Sequence, residues 1–471
     1  MLFREVTLPR LARRLKARWN MSFGHRHVLR VGLPLVAGMA SETLMLFVDR
    51  LFLSHYAVSA IAAALPAGSL AFAAQVAFIG VCGYASVFIA QHIGAQQPRH
   101  VGAILWQSLW LSLMFGILLA AGGLYLVQPI FAAAGHGPLI ADLESDYARI
   151  LLLGSFPVLL GVSLSAFFVG LGRTKPVLFA NLAGALLNIP LDWMLIFGHC
   201  GLPELGIKGA AIATVAGQSF AACLLVCLVF QDSGRRAGYS LSASWRPKKD
   251  LLLHFLRYSA PSGFHHFIEV AGFSWFMLHL GRLGETALAA SNIVFSINTL
   301  VFLPMMGLNS AVASLVGNAL GGQNAAGAKT ATGSALHISL AYMIPLALSL
   351  VLCGEWYMDM FQPGGNAASS PQVRSTGLIL LWYVAVYSLV DSCNIIYFAA
   401  LRGAGDTLFV MLSLGGLAVF CLVLPVFALE KLGLASLHSL WTTLSVYIIT
   451  LAIFAWRRYS SGRWQNIRLV K

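Results

Sequence analysis

Long apolar windows, each separated from the next by a short stretch rich in Gly, Pro and basic residues, set the rhythm of this chain. A window of about 20 apolar residues rises far enough as an α-helix to cross the hydrocarbon core of a bilayer. Twelve are predicted, over 28–53, 58–92, 101–131, 147–172, 176–198, 207–231, 252–281, 286–320, 328–353, 375–401, 407–429 and 436–456. Several exceed the minimum length, which tilt or a kink accommodates, and Pro34, Pro66, Pro157, Pro190, Pro261, Pro304 and Pro425 are the kink candidates. The pattern is that of an all-α integral membrane protein.

Composition narrows the class further. Of 471 residues 58% are hydrophobic and 10% charged, with a mean hydropathy of +0.79, whereas soluble domains carry about 25% charged residues. Disorder and collagen-like repeats are excluded, and seven cysteines are too few for a secreted disulfide scaffold. Cys82, Cys223, Cys227, Cys393 and Cys421 read as small hydrophobes within windows, while Cys200 and Cys353 fall near window ends on one side, where nothing in the sequence supports a disulfide.

The formal net charge of +13 is distributed one-sidedly. Most Lys and Arg fall in the N-terminal arm, at Arg99, Arg173 and Lys175, in the stretch 232–251, at Lys329 and Arg402, and in the tail. The opposite loops hold Arg149, Lys208, Arg282, Arg374 and Lys431, beside acids such as Asp142, Glu144, Asp146, Glu355 and Asp359. Positive residues are retained on the cytoplasmic side, so both termini are expected in the cytoplasm and the chain in the cytoplasmic (inner) membrane. Basic cytoplasmic loops account for the charge without a nucleic-acid partner. The arm and first window are not read as a secretory signal, because the window carries Glu42, Asp49 and Arg50 and lacks a small-residue cleavage pattern.

The longest polar stretch, 232–251, divides the windows six and six, and the halves repeat. At an offset of 227 residues Leu29-Arg30 meets Leu256-Arg257, Pro34 meets Pro261, Glu42 meets Glu269, and Ile93-Gly94-Ala95-Gln96 meets Leu320-Gly321-Gly322-Gln323. At 230, Phe168, Leu171, Leu178 and Phe179 meet Phe398, Leu401, Leu408 and Phe409. Six spans return the chain to its starting side, so the repeats are parallel, an arrangement that places transport sites near mid-membrane. The expected organisation is a basic arm (1–27), an N-lobe (28–231), a cytoplasmic linker (232–251), a C-lobe (252–456) and a basic tail (457–471).

An ionised side chain in hydrocarbon costs about 2.5–3.5 kcal/mol on insertion scales, so acids within windows are the informative residues. They are Glu42, Asp49, Asp192, Glu269 and Asp391, against a single base, Arg50, placed to snorkel outward or pair with an acid. A negative interior selects cations and protons. A carboxylate held away from water accepts a proton more readily, and an arriving cation favours its ionised form, which together make an exchange switch; the plainer alternative is that the acids satisfy backbone and hydroxyl groups at kinks. Asn188 and Asp192 share a helix face at i, i+4, and Pro190 between them frees a carbonyl. With Thr214 from the next window they offer the hard oxygen ligands of a small cation, or else cap a Pro kink. Tyr387 and Asp391 have the same spacing, the phenol bonding the carboxylate, facing the pathway or packing in the core.

Signs of an enzyme are missing. There is no phosphate-binding G-x-x-x-x-G-K-[ST] motif, and Gly170-Leu171-Gly172 and Gly403-Ala404-Gly405 read as turns. His265 and His266 are adjacent, about a hundred degrees apart around a helix, and read as packing residues rather than metal ligands. A carrier without a cofactor is expected. A flippase for lipid-linked or amphipathic substrates is the competing class, but phosphate-bearing cargo calls for basic residues in the interior, and the sign here is opposite.

Phe47-Val48-Asp49, Thr174-Lys175-Pro176, Leu187-Asn188-Ile189-Pro190-Leu191-Asp192, Pro203-Glu204-Leu205-Gly206, Gly209-Ala210-Ala211, Glu269, and Asp391 with Leu401-Arg402-Gly403 occur in that order on the twelve windows. In this order they make the chain resemble, along essentially its whole length, the multidrug and toxic compound extrusion (MATE) transporters, NorM-like in type. The resemblance implies two V-shaped six-helix lobes that alternate access and export small organic cations in exchange for Na+ or H+, one chain acting as a monomer in membrane lipid. It implies an N-lobe ion or proton site at Asp49, Asn188, Asp192 and Thr214, with Na+ held by Asp49, Asn188 and Asp192, and a C-lobe cation or substrate site at Glu269, Tyr387 and Asp391. The NorM-type branch often has an amide where this chain has Asp192, a carboxylate more like the archaeal members, so the branch does not fix the coupling ion. Glu42, the repeat mate of Glu269, is an accessory candidate outside the family's set.

Overall fold

Helices are the only regular elements among the described residues, which in this computed structural model are 18–231, 238–360, 371–467 and 469–470. The basic residues Arg4, Arg10, Arg13, Arg14 and Lys16 of the arm, Arg235 and Arg236 of the linker, and Arg468 and Lys471 of the tail lie outside them. In chain order the first helices are α1 (His25–Tyr56), α2 (Val58–Gly83), α3 (Ala85–Gly94), α4 (Val101–Tyr125), α5 (Val127–Ala133), α6 (Pro138–Leu153), α7 (Ser155–Gly170), α8 (Lys175–Phe197) and α9 (Ile207–Phe230). They are followed by α10 (Lys249–Gly281), α11 (Glu285–Gly321), α12 (Ala325–Leu352), α13 (Gly354–Met360), α14 (Pro371–Ala404), α15 (Thr407–Leu417), α16 (Leu424–Lys431) and α17 (Leu437–Ser460). A π-helical segment, Ala418–Val423, joins α15 to α16.

Ten helices or continuous helix pairs are long and apolar enough to cross a membrane, and α6 with α7, bent by 43° at Gly154, makes an eleventh. The twelfth expected span, 252–281, is present as the 33-residue α10. Asp250, Arg257 and Glu269, with four histidines, leave it without an uninterrupted apolar window of the kind the other spans contain. The prolines have diverse effects: Pro34, Pro66, Pro190, Pro261 and Pro304 sit inside uninterrupted helices. Pro157 follows the α6–α7 break, and Pro425 stands in the first turn of α16, where its missing N–H costs nothing. All seven cysteines are free.

The described residues divide into two compact units, one within 34–267 and the other within 268–469 together with residues 18–33. The division passes through α1 and α10, themselves repeat mates, and not through the linker where the sequence placed the seam. Within the first unit the described part of the linker is strapped to α4: Trp106 Nε1 donates to Leu241 O at 2.7 Å, Trp110 Nε1 to Trp245 O at 2.8 Å, and the Gly102 N–H to Tyr239 O at 3.0 Å. Residues 252–267, expected in the C-lobe, fall within the first of these units.

The repeat is visible in backbone geometry. Gln96 and Gln323, mates at the offset of 227, both adopt a left-handed φ of 56°, a conformation that side-chain-bearing residues pay to enter. Each turn is closed the same way, Gln96 and Gln97 N–H donating to Ile93 and His92 O, and Gln323 and Asn324 N–H to Leu320 and Ala319 O. Farther on, Gly172 (φ 67°) and Gly405 (φ 100°) close equivalent turns. Their spacing of 233 is three more than the side-chain match suggested, so the halves differ there by about one turn.

Lipid offers no hydrophobic drive between apolar helices, so close packing of small residues must supply it. A Cβ on Gly170 would stand 2.7 Å from Ser86 O, and one on Gly403 would collide with Ala313 O. The two glycines occupy matching places in their units and let α7 meet α3 and α14 meet α11 at backbone distance. Gly170→Ala and Gly403→Ala should each destabilise the protein by about 1–3 kcal/mol through overpacking. Gly122→Ala and Gly416→Ala, where a Cβ meets open space, should be neutral or slightly stabilising in the same thermal-unfolding measurement in detergent.

Candidate ion and cation sites

In the first unit α8 and α9 cross where neither has a side chain. A Cβ on Gly184 would lie 2.7 Å from Gly217 O, and one on Gly217 would lie 2.8 Å from Gly184 O and 3.0 Å from the Asn188 Cβ. This crossing holds Asn188 and Asp192 of α8 against Thr214 of α9, and α1 adds Asp49 from the third side. All are removed from the surface: Asp49 is 2% exposed, Asn188 and Asp192 0%, Thr214 4%. Thr214 Oγ1 donates to Asp49 Oδ2 at 3.2 Å, and the Tyr147 hydroxyl of α6 donates to the same oxygen at 3.4 Å.

Asp49 and Asp192 lie side by side within hydrogen-bonding reach. An ionised carboxylate has no donor, so that contact bonds only when a proton sits between the two. The remaining Asp49 oxygen, both Asp192 oxygens and both polar atoms of Asn188 are buried without a well-formed partner. That set, acceptor-rich and lacking a basic side chain, fits a proton or a small hard cation such as Na+. The four residues predicted for the N-lobe site are thus brought together. Tyr147 was missed, because no spacing rule relates it to Asp49, 98 residues away.

Glu42 stands apart from this cluster. Its Oε1 accepts from Asn181 Nδ2 at 2.8 Å, a pairing of α1 with α8 two turns from Asp49. Arg50 is exposed, in keeping with a residue that snorkels.

In the second unit Asp391 and Glu269 are near enough to repel, and Tyr447 of α17 lies close to both. The Asp391 carboxylate is half-buried and accepts from Asn394 Nδ2 at 3.1 Å. Tyr387 is near Asp391 but does not bond it: its hydroxyl donates to Asn298 Oδ1 at 3.2 Å, correcting the i, i+4 phenol–carboxylate option. Asn394, three residues from Asp391, was open to discovery by helical spacing; Asn298 and Tyr447 were not. On α10 the adjacent His265 and His266 rings meet edge to face at 4.6 Å instead of diverging. With Glu269 on the next turn of the same helix they bring one ligand atom each within 4.8 Å of one another, the result of i, i+3 and i, i+4 spacing.

Comparison with known proteins places this geometry in a family. The family model MatE matches residues 34–194 and 261–427. The probable multidrug resistance protein NorM of Bradyrhizobium diazoefficiens is 28% identical over 404 residues, covering 84% of each chain. The multidrug resistance protein PmpM of Pseudomonas aeruginosa is 27% identical over 418 residues, 89% of this chain and 84% of that one. A multidrug resistance MATE family transporter solved in an outward-facing conformation superposes with a TM-score of 0.84 over 93% of this chain and 96% of its own, at 21% identity, a likeness of fold. This multi-pass, two-lobed helical chain belongs to the MatE family of multidrug and toxic compound extrusion transporters, as a NorM-like member.

Proposed function

We propose that the protein is a secondary active antiporter, not an enzyme, that exports small organic cations in exchange for H+ or Na+ by alternating access. The observation that carries this reading is the buried Asp49–Asp192 pair, whose remaining oxygens have no well-formed partner. Two adjacent carboxylates away from water cannot both stay charged unless a cation joins them, so binding and release of H+ or Na+ must accompany any change in their surroundings. Glu269 and Asp391 give the second unit a separate negative locus, bordered by Tyr387 and Tyr447, whose aromatic faces suit an organic cation. The relatives' names as multidrug resistance proteins support a broad substrate range. Retention of basic loops on the cytoplasmic side puts both termini in the cytoplasm and the α5–α6 turn on the outer face.

Export of a fluorescent lipophilic cation from proteoliposomes, with sodium and proton gradients imposed separately, tests the reading. Asp49→Asn should reduce gradient-driven export by about tenfold or more, a barrier increase of at least ~1.4 kcal/mol; coupled export at the wild-type rate would refute the assignment. Glu269→Gln and Asp391→Asn should each weaken export while leaving membrane insertion intact. Because their locus lies in the other unit, they should act on apparent substrate affinity more than on the choice of driving ion. Unchanged substrate affinity in both would remove the second locus from the mechanism.

A further inference from the structure

A buried amide on a membrane-spanning helix calls for a reason, because hydrocarbon offers it no partner. Gln75 is the one amide side chain on α2 and is 8% exposed. It meets the break between α6 and α7, where the two helices bend by 43° at Gly154. In an unbroken helix the Leu151 carbonyl accepts from the Ser155 N–H. Here Gln75 Nε2 donates to Leu151 O at 3.3 Å and to the Ser155 hydroxyl at 2.9 Å, so one side chain bonds the last turn of α6 and the first turn of α7. Entry of a polar side chain into the backbone ladder is one of the few causes of a sharp helix bend.

The helices on both sides of this joint serve Asp49. Tyr147 stands one turn before Leu151 on α6, and its hydroxyl donates to Asp49 Oδ2. The Tyr147 ring also lies against α2, where a Cβ on Gly68 would stand 3.8 Å from its Cε1. Gly68 and Gln75 are two helical turns apart, so α2 holds α6 at two levels, beside the phenol and at the break. Against α9, a Cβ on Gly154 would collide with the side chain of Val215. The neighbour of Val215 is Thr214, the second donor to Asp49 Oδ2. The joint is therefore wedged between α2 and α9, and neither α2 nor α7 carries a charged side chain.

We propose that Gln75 is a positioning residue of the ion site, an inference that rests on the antiport reading. By clasping both sides of the α6–α7 joint it fixes the height and rotation of α6 at which the Tyr147 hydroxyl reaches Asp49. The amide carries no charge and its bonds end at the joint, so its influence on the coupling ion passes through Tyr147. That phenol donates to a carboxylate oxygen for which a proton or Na+ competes. Loosening the clasp withdraws the donor and leaves the oxygen freer to take the coupling ion.

The test records export of a fluorescent lipophilic cation from proteoliposomes against the concentration of the driving ion, in wild type, Gln75→Met, Tyr147→Phe and the double variant. Gln75→Met keeps the length of the side chain and removes its donors. Each single variant should lower the half-saturating concentration of the driving ion by about threefold, the scale of one hydrogen bond. The double variant should shift it no further than Tyr147→Phe does, as expected when one residue acts through the other. A purely structural clasp would lower the maximal rate, through loss of folded protein, and leave half-saturation at the wild-type value. That outcome in Gln75→Met, an unshifted Tyr147→Phe, or additive shifts in the double variant would each overturn the proposal. Gln75→Asn, one methylene short of the joint, should give the same shift and reads it independently of how well Gln75→Met inserts. Asp49→Asn is run alongside. Coupled export at the wild-type rate in that variant would overturn the antiport reading itself, whereas its loss together with an unshifted Gln75→Met would end only the positioning role.

Discussion

Two carboxylates that share a dry site cannot both keep their charge, and the first unit is built around that constraint. Asp49 arrives on α1 and Asp192 on α8, while α9 and α6 supply the hydroxyls of Thr214 and Tyr147, both directed at one oxygen of Asp49. The donors anchor one face of the pair and leave its other oxygens without partners. Beyond the nearby charge of the exposed Arg50, whatever neutralises the pair must come from outside the protein. Four helices converge on these side chains, so gain or loss of a proton or cation changes the balance of forces among all four, which is the differential interaction that a conformational equilibrium requires.

That convergence depends on residues that contribute no chemistry. Gly184 and Gly217 let α8 and α9 approach until a Cβ on either would strike the other's carbonyl, and the Asn188 side chain is seated at the contact. Elsewhere in the unit Ser108, Ser112 and Ser163 form a chain of hydroxyl contacts at 2.6 and 2.8 Å between α4 and α7. In a solvent as apolar as the side chains themselves, such contacts must supply the cohesion that water supplies to a soluble core.

Most of the scaffold was legible in the sequence because a helix in hydrocarbon must satisfy its own backbone, which leaves a long apolar window as its unmistakable trace. The repeat was legible for a related reason, since Gln96 and Gln323 mark turns of one geometry. Where legibility failed, the signal was non-local. The polar α10 reads as a span by length but not by composition. A linker rich in serine and arginine says nothing of the tryptophans on α4 that bind it. Acids within windows announced the sites, and i, i+4 spacing paired Asn188 with Asp192. The same rule misled at Tyr387, whose hydroxyl is taken by Asn298 from another helix. Partners such as Tyr147 and Tyr447 are ordinary aromatic residues until the tertiary fold places them beside a carboxylate.

The repeat duplicated the frame without duplicating the chemistry. Glu42 and Glu269 are mates, yet Glu42 bonds Asn181 away from the first unit's cluster, whereas Glu269 lies within the second unit's negative locus. The mate of Asp49 at the same offset is Phe276, wholly buried and edge-on to Phe295, which in turn stacks on Trp441. An aromatic cluster thus occupies in the second unit the place held in the first by the central carboxylate. Divergence at these positions on a shared frame leaves a compact, hydroxyl-lined carboxylate pair in one unit and a more open pair bordered by amides and phenols in the other.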